Sequence, residues 1–234
     1  HHLTPVGRRT QQKAAAAYYA GFFDNLVISW SGVSRDNNLR ADTSMEKLAT
    51  LRTVFDKGPK ATLSAGNSTS LTDGAAAVLL CSEEWAAEHK LPVQAFLTTG
   101  RSAAVDFVND EGLLMAPTVA VAEMLQRTGL TLQDFDFYEI HEAFAAQVLC
   151  TLKAWESEEY CTQRLGLKKP LGSIDREKLN VNGSSLAVGH PFAATGARIV
   201  ATLSQLLEEK GSGRGLISVC TAGGMGLCAI LERP

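Results

Sequence analysis

A chain of 234 residues with 45% hydrophobic and 20% charged side chains can bury a substantial core and has the balance of a globular protein. Its formal net charge of -3, with no basic run interleaved with aromatics, does not suggest nucleic acid as the main partner. No apolar stretch is long enough to span a bilayer and no charged-then-apolar leader opens the chain. The five cysteines lack CxxC pairs, so free thiols in a reducing cytoplasm are expected rather than a disulfide scaffold or a zinc site.

The N-terminal His1-His2 pair reads either as a tag remnant, with Leu3 to Gly7 as a linker, or as the protein's own sequence; no further metal ligands lie near it. A helix is predicted from Arg9 to Gly21, rich in Ala, Gln and Lys. Ser29 to Thr43 reads as a loop. Ser44 to Arg52 spaces its apolar residues for a short amphipathic helix capped by Thr43 or Ser44. Ala61 to Ala65 predicts a short strand leading through Gly66-Asn67 into a buried helix over Asp73 to Leu80.

Beyond Pro92 the expected elements are a strand over Val93 to Thr98, a helix over Pro117 to Thr128 closed by Gly129, and a strand over Phe135 to Ile140. That strand runs into a helix starting at His141. Residues 155 to 179 are charged and loop-like, with a short helix around Glu158 to Leu165. A helix over Thr195 to Lys210 ends at Gly211, and strands over Leu216 to Val219 and Leu227 to Leu231 flank a glycine turn. Alternation of strands and helices predicts layered α/β architecture.

Two segments concentrate chemistry. Asn180-Val-Asn-Gly-Ser-Ser-Leu-Ala-Val-Gly-His-Pro places His190 between Gly189 and Pro191, just before a helix. Cys220-Thr-Ala-Gly-Gly-Met-Gly places a thiol at a strand end beside glycines. A base, a thiol and free backbone N–H groups are what acyl transfer to or from a thioester needs. Two readings of Cys220 stand, a small buried core residue or a functional acid and base. His141 is either a helix-start residue, with Glu142 facing the helix dipole, or a donor at the carboxyl edge of a sheet. Gly66-Asn67-Ser68-Thr69-Ser70 is a strand–turn–helix joint or a cradle for a polar ligand; it has neither a dinucleotide fingerprint nor a P-loop. Cys81, Cys150, Cys161 and Cys228 lack comparable surroundings and read as structural.

Taken in order from Arg9 to Arg233, these segments resemble the carboxyl-terminal half of the thiolases. Ala65-Gly-Asn-Ser-Thr-Ser-Leu-Thr-Asp-Gly-Ala-Ala-Ala-Val is similar to the segment that ends their first core domain, Asn180 to Arg198 to their Gly-His-Pro segment, and Cys220 to Gly226 to their terminal cysteine turn. Glu-Ile-His-Glu-Ala-Phe-Ala around His141, with Asp36-Asn-Asn-Leu-Arg, resembles the β subunit of fatty-acid-oxidation trifunctional complexes and its bacterial relatives. Most other thiolases carry Asn where His141 stands.

The resemblance implies a layered α/β/α fold. Residues 1–60 would be the tail of a loop domain, 61–91 the end of the N-terminal core domain, and 92–234 the C-terminal core domain. It implies Cys220 as acid and base, His190 as activator of a nucleophilic cysteine, His141 as an oxyanion-hole donor and the Ala222 N–H in a second hole. Ala65, Thr69 and Phe144 would line the coenzyme A channel. Ala222 and Ser184-Ser185 depart from the family's glycines, which matters wherever φ must be positive.

Coenzyme A is expected as a substrate, with no cofactor and no metal. A homo-oligomer and a hydratase/dehydrogenase subunit are the expected protein partners. The family's nucleophilic cysteine has no matching segment here, so the chain is expected to be inactive alone, and an apolar face left uncovered would favour self-association. A ketoacyl-synthase-type condensing enzyme and a thiolase-like acyl-CoA- or lipid-binding protein are the alternatives.

Overall fold

The computed structural model describes residues 3–234, so His1-His2 lie outside the described residues. A four-stranded mixed sheet organises the second half, in the order β1-β4-β3-β2, with β1 Phe96–Ala104, β2 Phe137–Ile140, β3 Gly213–Thr221 and β4 Met225–Arg233. β3 and β4 form an antiparallel hairpin, β1 adds antiparallel to β4, and β2 runs parallel to β3 in the register Ile140 opposite Ser218.

Side chains alternate across a strand, so each strand feeds two cores. Leu216, Cys228 and Ile230 meet α4 (Ala116–Thr128) and α5 (Ala145–Glu156) on one face, through Val121, Met124, Val148, Leu152 and Trp155. Ile217, Ala229 and Leu231 meet the other face, covered by Ile199, Leu203 and Leu207. Those three residues sit one to two turns apart on the helix Phe192–Lys210. The layered α/β/α expectation holds.

Element ends follow local chemistry. Pro117 lies in the first turn of α4, and Gly129 closes it in the left-handed region at φ 71. Ser44 caps the helix Met45–Ala49 (α2), its side chain accepting from Lys47 N–H at 3.2 Å. Ser82 caps Glu83–Glu88 (α3) in the same way.

The first half departs from expectation in three places. Leu3 to Gly7 is no linker: the first helix, α1, spans Leu3–Tyr19, and Gly7 is buried where a Cβ would collide with the Gly66 backbone. Ala61 to Ala65 forms no strand; it is irregular up to Ser64, and a turn begins at Ala65. It contributes only a bridge between Thr53 and Ser64, and the Asn67 side chain accepts from Ser64 N–H at 2.9 Å. Asp73 to Leu80 is extended and exposed, not a buried helix; Leu79 is 70% and Leu80 64% accessible. A run apolar on every face is as compatible with a strand buried on both sides as with a helix. The backbone enters it already extended, because His190 N–H donates to Ser70 O at 2.9 Å.

Helix α1 crosses the segment that carries His190. A Cβ at Gly183 would lie 2.6 Å from Thr10 O and 2.7 Å from Ala14 Cβ, and Gly183 has φ +75. Strain and overpacking therefore coincide there, and Gly183→Ala is expected to cost about 2–4 kcal/mol. Urea unfolding of the two proteins checks this.

Candidate active site

The carboxyl ends of β2 and β3 lie side by side because the strands are parallel. The pairing continues one residue past β2, where His141 N–H donates to Ser218 O at 2.8 Å. His141 thus leaves the sheet beside the end of β3, where Cys220 precedes the turn. His141 to Phe144 is not helical and bends at Ala143, and α5 begins only at Ala145, not at His141. The residues Asn67 to Thr69 explain the delay: Thr69 N–H donates to Ala143 O at 3.0 Å, and Ala145 N–H to Asn67 O at 2.9 Å.

The third wall is the segment around His190. A single helical turn, Ser185–Val188 (α6), absent from the sequence expectation, leads to Gly189 and His190, and Phe192–Lys210 (α7) follows. Thr69 Oγ1 donates to Ser185 O at 2.7 Å, so the 67–72 segment is clamped on both sides. The rings of His141 and His190 meet with centroids 4.3 Å apart, inclined at 46°. His190 Nδ1 lies 2.7 Å from Thr195 Oγ1, and His141 Nδ1 lies 2.7 Å from Ser185 Oγ. Among the described residues neither ring has a hydrogen-bond partner at Nε2.

Burial disfavours the charged form of both rings. Burial pushes His141 down to about 3, with His190 and Arg198 adding to the effect; His190 is lowered by burial and then by Arg198. Cys220 is 8% exposed, and burial pushes its thiol up to about 11 against the opposing effect of its own and the Ala143 backbone groups. A thiol in that range is protonated at neutral pH and is an acid before it is a nucleophile.

Behind the histidines lies a buried polar layer that sequence reasoning missed. Glu142 accepts from Thr10 Oγ1 at 2.8 Å, Asn180 Nδ2 at 3.0 Å and Leu186 N–H at 3.3 Å, so it is a bracket between α1, β2 and α6 rather than a helix-dipole partner. Arg198 Nη2 donates to Ser185 Oγ at 2.8 Å. Glu139 is fully buried, and burial pushes its carboxyl up to about 8, with Arg198 opposing. A glutamate inside an otherwise apolar strand, Phe137 to Ile140, was the available signal.

The comparisons agree with this geometry. The thiolase C-terminal domain family matches residues 93–233 and the thiolase N-terminal domain family residues 5–84. The chain belongs to the thiolase family. It is 40% identical over 230 residues to a 3-ketoacyl-CoA thiolase of Yersinia enterocolitica, covering 96% of this chain and 52% of that protein. The crystal structure of human mitochondrial 3-ketoacyl-CoA thiolase superposes with a TM-score of 0.82 at 30% identity, over 99% of this chain and 55% of that one. The Bacillus anthracis acetyl-CoA acetyltransferase gives 0.80 at 34% identity, over the same shares. The chain thus spans about half the length of the thiolases it matches.

Within this candidate site His141, His190 and the Cys220–Ala222 turn lie on adjoining segments. Thr69 stands in the clamped seam with its hydroxyl engaged, and Phe144 packs edge-on against Phe55 at 5.4 Å. Ala65 is exposed on the turn before Asn67. The departures from glycine are harmless to the backbone. Positive φ falls on Gly223 and Gly224 rather than Ala222, and on Gly183 and Gly189 rather than Ser184 or Ser185. Of the other thiols, Cys81 and Cys150 are exposed, while Cys161 and Cys228 are buried. Cys161 Sγ contacts the Ala154 and Trp155 carbonyls, and Cys228 Sγ contacts Met124 Sδ. Among the described residues no helix is long and apolar enough to cross a membrane.

Two pH effects follow. With its thiol near 11, Cys220 should be alkylated by iodoacetamide at a rate that rises about tenfold per pH unit from neutrality to pH 10; mass-mapped kinetics check this. The folded His141 lies near 3 against an ordinary 6.5, so between those values the unfolded chain binds a proton that the folded one does not. Its effect on stability is absent above pH 6.5 and destabilising as pH falls below it. Replacing His141→Asn should remove about 2 kcal/mol of the loss between pH 7 and pH 5, read from denaturant titrations at both pH values.

Proposed function

We propose that the protein carrying this chain is an acyl-CoA thiolase that cleaves 3-oxoacyl-CoA with CoA, giving acetyl-CoA and a shortened acyl-CoA, or runs the reverse condensation. The single observation that carries this reading is the packed pair of imidazoles beside a buried thiol, at the carboxyl ends of parallel strands. Thiolysis breaks the bond between the α and β carbons and leaves an acetyl-CoA enolate. Cys220, held as a thiol, supplies the proton that the enolate carbon takes, and as thiolate removes one in the reverse direction. His141 and the Ala222 N–H donate to the oxyanions that form, and His190 activates the attacking thiol. Coenzyme A would run past Ala65, Thr69 and Phe144. No resident cofactor or metal enters these steps.

In this reading residues 1–60 end a loop domain, 61–91 close the N-terminal core domain and 92–234 form the C-terminal one. The cytoplasm is the expected compartment, with a second copy of the chain and a hydratase/dehydrogenase subunit as expected partners. The extended, exposed run ending at Leu80 supports association of this face with further polypeptide. In this reading the attacking thiol lies outside these 234 residues, whose other cysteines match no segment like that of the family's nucleophile.

A condensing enzyme of the ketoacyl-synthase type shares the use of two histidines, and the packed pair favours it as the second reading. The Cys220 turn, which such enzymes do not need, speaks against it. The test is thiolysis of 3-oxoacyl-CoA by the full-length protein. Cys220→Ala should lower kcat by at least about a hundredfold, and the isolated 234-residue chain should show no turnover. Wild-type activity on 3-oxoacyl-CoA that survives Cys220→Ala would sink the assignment. A Cys220 that stays inert to an acyl-CoA affinity label in the full-length protein would favour a binding role.

A further inference from the structure

We propose that Ser185 is a positioning residue for His141: its hydroxyl, oriented by Arg198, holds the imidazole as the Nε2–H tautomer, so that the nitrogen away from Ser185 is a hydrogen-bond donor. The proposal rests on the thiolase reading for its kinetic consequence and on geometry alone for the tautomer.

The argument is one of donors and acceptors. Arg198 Nη2 reaches Ser185 Oγ at 2.8 Å, and a guanidinium can only donate. Ser185 Oγ therefore accepts from Arg198 and keeps its own hydrogen to give. The other side-chain partner of that hydroxyl among the described residues is His141 Nδ1, at 2.7 Å. If Nδ1 carried a proton, the oxygen would accept twice, and the serine hydrogen would have no acceptor in a fully buried site. Such an orphan costs about 1–3 kcal/mol, enough to decide between tautomers that differ little in free imidazole. The hydroxyl therefore donates to Nδ1, and the single proton of the neutral ring sits on Nε2.

The surroundings hold the relay in place. Ser185 begins the α6 turn, and its carbonyl is clamped by Thr69 Oγ1 at 2.7 Å. Arg198 projects from α7, and Glu139, two residues before His141 on β2, is its nearest carboxylate neighbour in electrostatic effect. Removing the hydroxyl leaves Nδ1 without a donor and lets the ring exchange tautomers or swing. A ring with its proton on Nδ1 aims a lone pair at a developing oxyanion, and a ring swung out of place aims no N–H at it at all.

The experiment uses the full-length protein with 15N-labelled histidine. In the wild type, long-range nitrogen–proton correlation should show His141 Nδ1 as a bare acceptor and Nε2 protonated. Ser185→Ala should move both nitrogens toward averaged values, and Ser185→Thr should restore the wild-type pattern. In thiolysis, Ser185→Ala should lower kcat about ten- to a hundredfold with KM within about twofold. An amide has no tautomers, so in a His141→Asn background the same substitution should change kcat by less than about twofold. A wild-type Nδ1–H tautomer overturns the proposal, and so does a full Ser185→Ala effect in the His141→Asn background. A wild type without thiolase activity would instead count against the functional reading, and the wild-type spectrum, which needs no variant to fold, would then decide the tautomer.

Discussion

The parallel pairing of β2 with β3 is the constraint on which the rest of the structure depends. Parallel strands end on the same edge of a sheet, and the bond from His141 N–H to Ser218 O carries the pairing past the last residue of β2. One edge therefore presents an imidazole from one strand and a thiol from its neighbour. An antiparallel arrangement would have sent them to opposite ends. The register is held by alternation: Leu216 and Ile217 face different cores, so a slip of one residue would turn both into the wrong layer. The sheet thus fixes the separation of His141 from Cys220 before any loop contributes.

Loops then bring the remaining parts to that edge, and the arrangement has a polar cost. Glu139, Glu142 and Arg198 are all withdrawn from water beneath the site. Burial raises both carboxyls and lowers the guanidinium, with the opposite charges partly offsetting it. Well-packed apolar side chains would be at least as stable there. The polar layer instead gives fixed directions: Glu142 ties α1 and Asn180 to the α6 turn, and Arg198 leaves Ser185 with one hydrogen and one place to put it. This is a case where buried polar groups under a site specify geometry rather than add stability.

How much of this was legible in the sequence follows from where the information lies. The β3–β4 hairpin, α4 with Gly129, and α7 with Gly211 were readable because periodicity and a left-handed glycine mark them locally. Cys220 and His190 were readable because glycines flank them. Asp73 to Leu80 was misread because its apolar pattern has no period to choose helix over strand. His141 was placed on a helix because nothing nearby in sequence announces that Asn67 and Thr69, more than seventy residues earlier, hold its backbone out of the helix. Ser185 and Arg198 escaped for the same reason, since their contacts are with residues on other elements, and Thr195 escaped because only the fold shows its hydroxyl turned back to His190.

The position occupied by His141 shows what such hidden partners contribute. An asparagine amide at that place would always carry both a donor and an acceptor, and turning it would exchange them. An imidazole near neutrality carries one proton on either of two nitrogens, and the ring alone does not say which. A histidine at that place therefore needs a neighbour that can only complete its hydrogen bonding in one way. A glycine at 185 could not do so. A serine held by an arginine can, because the arginine removes the ambiguity of the hydroxyl and the hydroxyl removes that of the ring. The serine at 185 and the histidine at 141 are then two halves of one solution, separated by 44 positions in the chain and by 2.7 Å in the fold.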